Sequence, residues 1–179
     1  MDSIYLIELF GKAINDMVEK PYAKISIHRI YQVTQYKWYL GQDGYPFTYI
    51  NGARIQLHRY VWFLKTSHYS NFHTDLSDNI IRLYVDHINR DKLDATDENL
   101  RLATPAQNSY NKTLKNSIQD PITGELLHHI KWKKSGYEVC ITKDGHCAKI
   151  NCIKTLLEAK QIYNLMAEDM FGTFAILYD

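Results

Sequence analysis

Residues 84–111 read YVDHINRDKLDATDENLRLATPAQNSYN, and the fold of the chain turns on this stretch. Leu83-Tyr84-Val85 is a short apolar run with the pattern of a strand, and it delivers Asp86 and His87 side by side. The polar residues that follow carry no apolar period long enough for a helix, so they read as a turn-rich loop. Asn99-Leu100-Arg101-Leu102-Ala103 reads as a return strand. Thr104-Pro105-Ala106-Gln107 then marks a helix start. Threonine takes the N-cap, proline the first helical position, and glutamine follows the threonine by three as in a capping box. Asn108 falls in the first turn of that helix. The unit is strand, loop, strand, helix.

With its order of Asp86-His87, then Asn99, then Asn108, the stretch closely resembles the HNH nuclease motif, the ββα-metal finger. The third position is often His in that family and is Asn here. The residue types suit phosphodiester hydrolysis, which needs an activated water and charge neutralisation at the leaving oxygen. A neutral His is the natural general base near pH 7, which makes His87 the candidate base. A carboxylate and an amide oxygen are hard ligands that suit Mg²⁺, which keeps waters and takes substrate phosphate oxygens. Asp86 and Asn108 are therefore the candidate ligands for one Mg²⁺ or Mn²⁺ per active site. The resemblance gives Asn99 a structural part in the catalytic set: its side chain braces the loop and so orients His87. Strand alternation sends Asp86 and His87 to opposite faces, so one can hold metal while the other aims at water.

Upstream, residues 3–19 place Ile4, Leu6, Ile7, Phe10, Ile14, Met17 and Val18 at spacings that fit a helix, which Pro21 ends. Lys24–Ile30 and Tyr31–Trp38 read as β-like runs. Tyr45–Ile50, Asn51-Gly52 and Ala53–Leu57 form a β-hairpin on its Asn-Gly turn, and a helix starts at His58. This hairpin and His-Arg helix resemble the region before the metal finger in many phage and bacterial HNH proteins. Arg59 is expected to contact phosphate or brace the fold, and Arg101 of the motif is a further candidate DNA contact. His58 is open to either use and stays outside the catalytic set. Residues 65–82 read as a surface insertion, with His68 and His73 as solvated loop residues.

Asp120-Pro121-Ile122-Thr123-Gly124 is turn chemistry and marks the expected boundary between a domain over 1–118 and a second over 125–179. The second domain reads as three strands (His128–Lys133, Tyr137–Thr142 and His146–Cys152) and a helix over 155–171 with Gly172 as its C-cap. Three strands and one helix, with Glu158-Ala159, Tyr163, Ala167 and Phe171-Gly172 in the helix, resemble the Apetala and ethylene-response-factor type of DNA-binding domain. That resemblance implies a sheet face that meets DNA through Lys131, Trp132, Lys133, Lys134 and Lys143. The glycine and aromatic residue that precede the helix in that family are absent; Asn151-Cys152-Ile153 stands there. A packing or dimerisation module is the other reading of the same stretch.

Composition sets the outer bounds. The chain has 179 residues, 45% hydrophobic and 23% charged, ordinary for one or two small globular domains. Net charge is only +1, but it is uneven. Residues 128–154 carry Lys131, Lys133, Lys134, Lys143, Lys149 and Lys154 against Glu138 and Asp144, and it is local charge that a phosphate backbone meets. No apolar run is long enough to cross a membrane, and the first residues do not read as a signal peptide. Cys140, Cys147 and Cys152 form no C-x-x-C pair, so buried reduced cysteines and an intracellular setting are expected.

The expectation is an α+β protein: a ββα-metal finger with an upstream hairpin, then a small three-stranded antiparallel sheet packed on one helix. Its expected activity is metal-dependent endonuclease cleavage of double-stranded DNA, of homing or nicking type. The alternative is a non-catalytic DNA-binding protein or repressor that keeps both folds.

Overall fold

A computed structural model describes residues 3–11, 14, 19–66, 83–111 and 117–179. It is mixed α and β, built from several small antiparallel sheets and a few helices. Its contacts divide it into two compact units, Met1–Pro105 and Ala106–Asp179, whereas the sequence placed the division near residue 120. The expected insertion's His68 and His73 lie outside the described residues.

In the first unit, β1 (Ile4–Glu8) pairs antiparallel with β2 (Tyr22–Ser26), with Ile4 opposite Ser26. This corrects the helix expected over residues 3–19. The apolar residues at 4, 6 and 7 satisfy either period, and pairing with a distant strand decides the outcome over local preference. Only Ile7 of β1 is buried, and Leu9 beyond it. Ile14 is helical and buried, but most of its neighbours lie outside the described residues. A 3₁₀ turn at Ile27–Arg29 and a short helix α1 (Ile30–Val33) follow β2. The β-like run read over Tyr31–Trp38 is therefore helical at its start. The turn buries Val33, and its carbonyl accepts the indole N–H of the fully buried Trp38 at 2.9 Å.

Strands β3 (Tyr39–Leu40), β4 (Pro46–Ile50) and β5 (Ala53–Gln56) form an antiparallel sheet in that order. The β4–β5 turn holds Asn51 at φ 51° and Gly52 at φ 79°, the positive pair that a two-residue hairpin requires. Helix α2 (Leu57–Thr66) starts directly after β5 and buries Leu57, His58, Tyr60 and Val61. Strand β6 (Tyr84–His87) pairs antiparallel with β7 (Leu100–Ala103), with Asp86 opposite Arg101 and His87 opposite Leu100. The six-residue helix α3 (Pro105–Tyr110) comes next, and the division between units falls at its first residue. Leu9, Ile25, Val33, Trp38, Leu57, Val61, Ala95 and Leu100 share one core, so the loop before β7 is anchored in it.

In the second unit, β8 (Ile118–Gln119) and β9 (Leu126–Leu127) flank the predicted turn. There Asp120 accepts from the N–H and hydroxyl of Thr123 and from the Tyr137 hydroxyl. Strands β10 (Ile130–Lys133), β11 (Gly136–Lys143) and β12 (His146–Ile153) make a three-stranded antiparallel sheet. The sixteen-residue helix α4 (Leu156–Phe171) packs on it, closing a core of Ile130, Tyr137, Val139, Ile141, Ile153, Ala159, Tyr163 and Ala167. Thr155 and Glu158 cap α4 reciprocally, and Gly172 ends it at φ 56°. The cysteines depart from expectation. Cys147 and Cys152 are exposed and Cys140 is half-buried. Cys140 alternates with the buried Val139 and Ile141, so strand pleating turns it away from the core; its Sγ lies 3.0 Å from that of Cys147.

Gly136 opens β11 at φ 126°, and a Cβ there would stand 2.4 Å from the Ile153 carbonyl oxygen. A Gly136→Ala substitution therefore strains the backbone and pushes β12 away. We expect a loss of about 1–3 kcal/mol, read as a lower urea midpoint for the second unit.

Candidate active site

The ten residues from Ile88 to Asp97 form a loop with little regular structure, yet Asp94, Thr96, Asp97 and, just beyond, Asn99 are all buried. Buried polar groups need partners, and here each has one. The Asn99 side chain closes the loop. Its Oδ1 accepts the Asn89 backbone N–H at 2.9 Å, and its Nδ2 donates to Asn89 Oδ1 at 2.9 Å and to the Asp94 carbonyl at 2.7 Å. Asp94 in turn accepts from Asn89 Nδ2 and from the Thr96 hydroxyl and N–H. The outer side of the loop is sewn to β2: Lys24 N–H donates to the Leu93 carbonyl at 2.7 Å, and Ala95 N–H to the Lys24 carbonyl at 2.9 Å. Arg29 reaches Asp97 through Nε and Nη2, the closest contact being 2.7 Å, while His28 and the Ser26 hydroxyl complete that corner. Lys65 of α2 caps the Asp97 carbonyl at 2.7 Å.

At the mouth of this loop stand Asp86 and His87, 7% and 5% exposed. Asp86 accepts the Arg101 Nε–H at 2.9 Å across the β6–β7 ladder, so the two lie on one face of the ribbon. His87, on the other face, is walled by two rings among the described residues. The His58 ring is 4.8 Å away at 60° and the Tyr45 ring 5.8 Å away at 37°, with Tyr45 and His58 themselves 5.1 Å apart. Lys92 sits over the Tyr45 ring and donates to the Asp43 carbonyl at 2.8 Å, which holds Tyr45 against the pair. Burial pushes the His87 pKa below its ordinary value; the charges of Asp86, Asp91 and Asp94 oppose this without overcoming it. The imidazole is therefore neutral at pH 7, the state a base needs. His58 is driven well below the ordinary range by its burial, then by His87 and Arg59, and is neutral too.

The donor set fits a Mg²⁺-type ion better than a zinc cage. Asp86 offers one hard carboxylate, of the kind that Mg²⁺ takes together with water and phosphate oxygens.

The remaining sequence-derived candidates fall in several places. Asn108 lies on α3 in the second unit. Arg59 is half-buried on α2, where its charge is felt at both His58 and Tyr45. Arg101 is engaged with Asp86 rather than standing open. Lys131, Trp132, Lys133 and Lys134 are exposed on and beyond β10, with Trp132 resting its ring against Tyr137 at 4.8 Å. The Lys143 amine donates to the Met170 carbonyl at the end of α4. The sequence reading missed Lys24, Ser26, His28 and Arg29 altogether. Their only signal was polar residues inside an apolar run, and their partners lie about seventy positions downstream.

Residues 82–110 match the family model described as HNH endonuclease. A protein of Acanthamoeba polyphaga mimivirus, described as an uncharacterized HNH endonuclease, is 37% identical over 175 residues, covering 98% of this chain and 81% of its own length. No solved structure matches. A chain so similar over nearly its whole length belongs to the HNH endonuclease family. It is a nuclease, and the relative's source is a giant virus.

Two outcomes follow from the loop. Asn99→Ala strands the partners of three hydrogen bonds and is expected to cost roughly 2–4 kcal/mol, with early loss of hydrogen-exchange protection at the Asn89 amide. The second concerns acid. Burial raises the Asp97 pKa, but Arg29 and then His28 more than offset this and hold it below the ordinary value. The folded value lies below the unfolded one, so this stabilisation is full above about pH 4 and fades as pH falls through the folded pKa. Asp97→Asn should lower stability at pH 7 and flatten the acid limb of the stability curve below pH 4; an unchanged acid limb would assign that limb to other carboxylates.

Proposed function

We propose that this nuclease is a divalent-metal-dependent DNA endonuclease of homing or nicking type, with His87 as its general base. The observation that carries the reading is the pair on β6: a buried, neutral His87 and a buried Asp86 on opposite faces, at the edge of a loop locked by Asn99. A water beside the scissile phosphate gives its proton to His87. It attacks the phosphorus in line with the departing 3′-oxygen, leaving 5′-phosphate and 3′-hydroxyl ends. Asp86 would hold the ion; one Mg²⁺ or Mn²⁺, when bound, supplies the positive charge that the leaving oxygen needs. Arg101 fixes the Asp86 carboxylate. Asn99 holds the loop that sets the His87 backbone, and Arg59, charged and close to the ring cluster, is our candidate for a phosphate contact.

In the second unit, residues 125–179 are proposed to meet the double helix as an Apetala-like sheet. The helix covers one face, and the other presents Lys131 and Lys133 beside Lys134. These contacts would position the duplex on its phosphates rather than read its sequence. Lys143, half-buried and bonded at the end of α4, would add charge at the margin.

Supercoiled plasmid incubated with Mg²⁺ should be nicked or linearised by the wild-type chain, spared in EDTA, and spared by His87→Ala, which keeps its DNA affinity. Equal cutting by His87→Ala would remove His87 from the mechanism. Binding without any cutting by the wild type would favour a non-catalytic DNA-binding role. Replacing Lys131, Lys133 and Lys134 together by Ala should reduce the slope of log Kobs against log salt by about 2–3, since each lost phosphate contact removes about 0.9; an unchanged slope would take this face off the DNA.

A further inference from the structure

His58 has no place in the chemistry described above, yet it is among the most deeply set polar residues of the first unit. It lies on the first turn of α2, between Leu57 and Val61 of the core, and is 5% exposed. Its ring lies against that of His87 at 4.8 Å and 60°, a tilted aromatic contact. Its Nδ1 is buried and has no hydrogen-bond partner among the described residues. For the fold alone this is a poor choice of side chain. An apolar residue of similar volume would fill the same space without an unsatisfied nitrogen, at no loss of packing. What the nitrogen-bearing ring does have beside it is His87.

Resting on the reading of His87 as the base, we propose that His58 is a positioning residue for His87, fixing the ring of the base in one orientation from α2. His87 is the last residue of β6; the ladder and the loop, through Arg90 N–H donating to the His87 carbonyl at 3.0 Å, hold its backbone, while the orientation of the ring is set by the side chains around it. Tyr45 supplies one wall, 5.8 Å from His87, and is itself pinned under Lys92. His58 supplies the second wall and is the only one of the two that brings nitrogens to it. Burial keeps His58 uncharged, so it presents a dipole to His87 and not a competing positive charge. Tyr45, just before β4, and His58 of α2 thus act on the reaction through the base rather than by contact with DNA.

The test compares the full-length wild-type chain with His58→Leu, His58→Asn and His87→Ala. Leucine fills the volume without nitrogen; the asparagine amide reaches the place of Nδ1. His58→Leu should unfold at the same or higher temperature than the wild type and bind duplex DNA with Ca²⁺ within about twofold. It should nick plasmid in single turnover about 30-fold more slowly, in line with what a misoriented group costs. His58→Asn should recover to within about fivefold of the wild-type rate. Nitrogen-15 spectra of the histidine rings give a reading that does not depend on activity. His87 should show one tautomer pattern in the wild type and in His58→Asn, and an averaged one in His58→Leu. A purely structural His58 would instead lower the melting temperature and the rate together. That result, an undiminished rate in His58→Leu, or an unchanged His87 pattern would each overturn the proposal. If His87→Ala nicks as fast as the wild type, it is the assignment of the base that fails, a result separate from any of these.

Discussion

The structure of the first unit depends on satisfying a polar loop in a place where water is scarce. Between β6 and β7 the chain buries Asp94, Thr96, Asp97 and Asn99, whose side chains must find partners outside any regular ladder. Such groups are costly when alone and cheap when fully bonded. The Asn89–Asn99 amide pair closes the loop from within, and Arg29 with Ser26 holds it from outside. Each tether also sets a backbone that His87 shares, so the polar network and the geometry of the candidate base are one construction. The network is full, and a fully satisfied network is rigid.

The two faces of the β6–β7 ribbon divide the labour. One carries the charged pair Asp86–Arg101 and the other the ring cluster around His87. This separation follows from strand alternation alone, and it keeps a carboxylate next to His87 in sequence while the imidazole stays neutral. The hairpin that precedes α2 contributes Tyr45, and α2 contributes His58, so elements that look like support bring side chains to within contact of the base.

Much of this could be read in the sequence wherever the signal was local. Asn51-Gly52 and Asp144-Gly145 name their turns because both residues of each pair must take positive φ, and all four do. Thr155 with Glu158 and Gly172 mark the ends of α4 for equally local reasons. The motif of residues 84–111 placed β6, the loop, β7 and α3 correctly along the chain. What failed was long-range. Ile4–Glu8 carries an apolar pattern compatible with a helix, and only its pairing with Tyr22–Ser26 makes it a strand. Tyr31–Trp38 alternates like a strand, but α1 forms because its last carbonyl has the Trp38 indole to accept. Arg29 gave no sign of its partner, since nothing in its neighbourhood encodes Asp97. His58 was visible as a residue but not as a neighbour of His87.

The tethers of the loop span the chain: Lys24 to Asp91, His28 and Arg29 to Asp97, and Ser26 to Asp97 are separated by 67, 69, 68 and 71 positions. Contacts of that separation form only after a large chain closure, which local structure cannot hasten. The hairpins and helices of the first unit can form early, each from its own neighbourhood, but the loop that orients His87 locks only when β2 has found residues 93–97. A folding intermediate with all its local elements in place would still lack a fixed candidate base. The order of assembly therefore withholds the cutting geometry until the unit is whole, and a partly folded chain is structured without being armed.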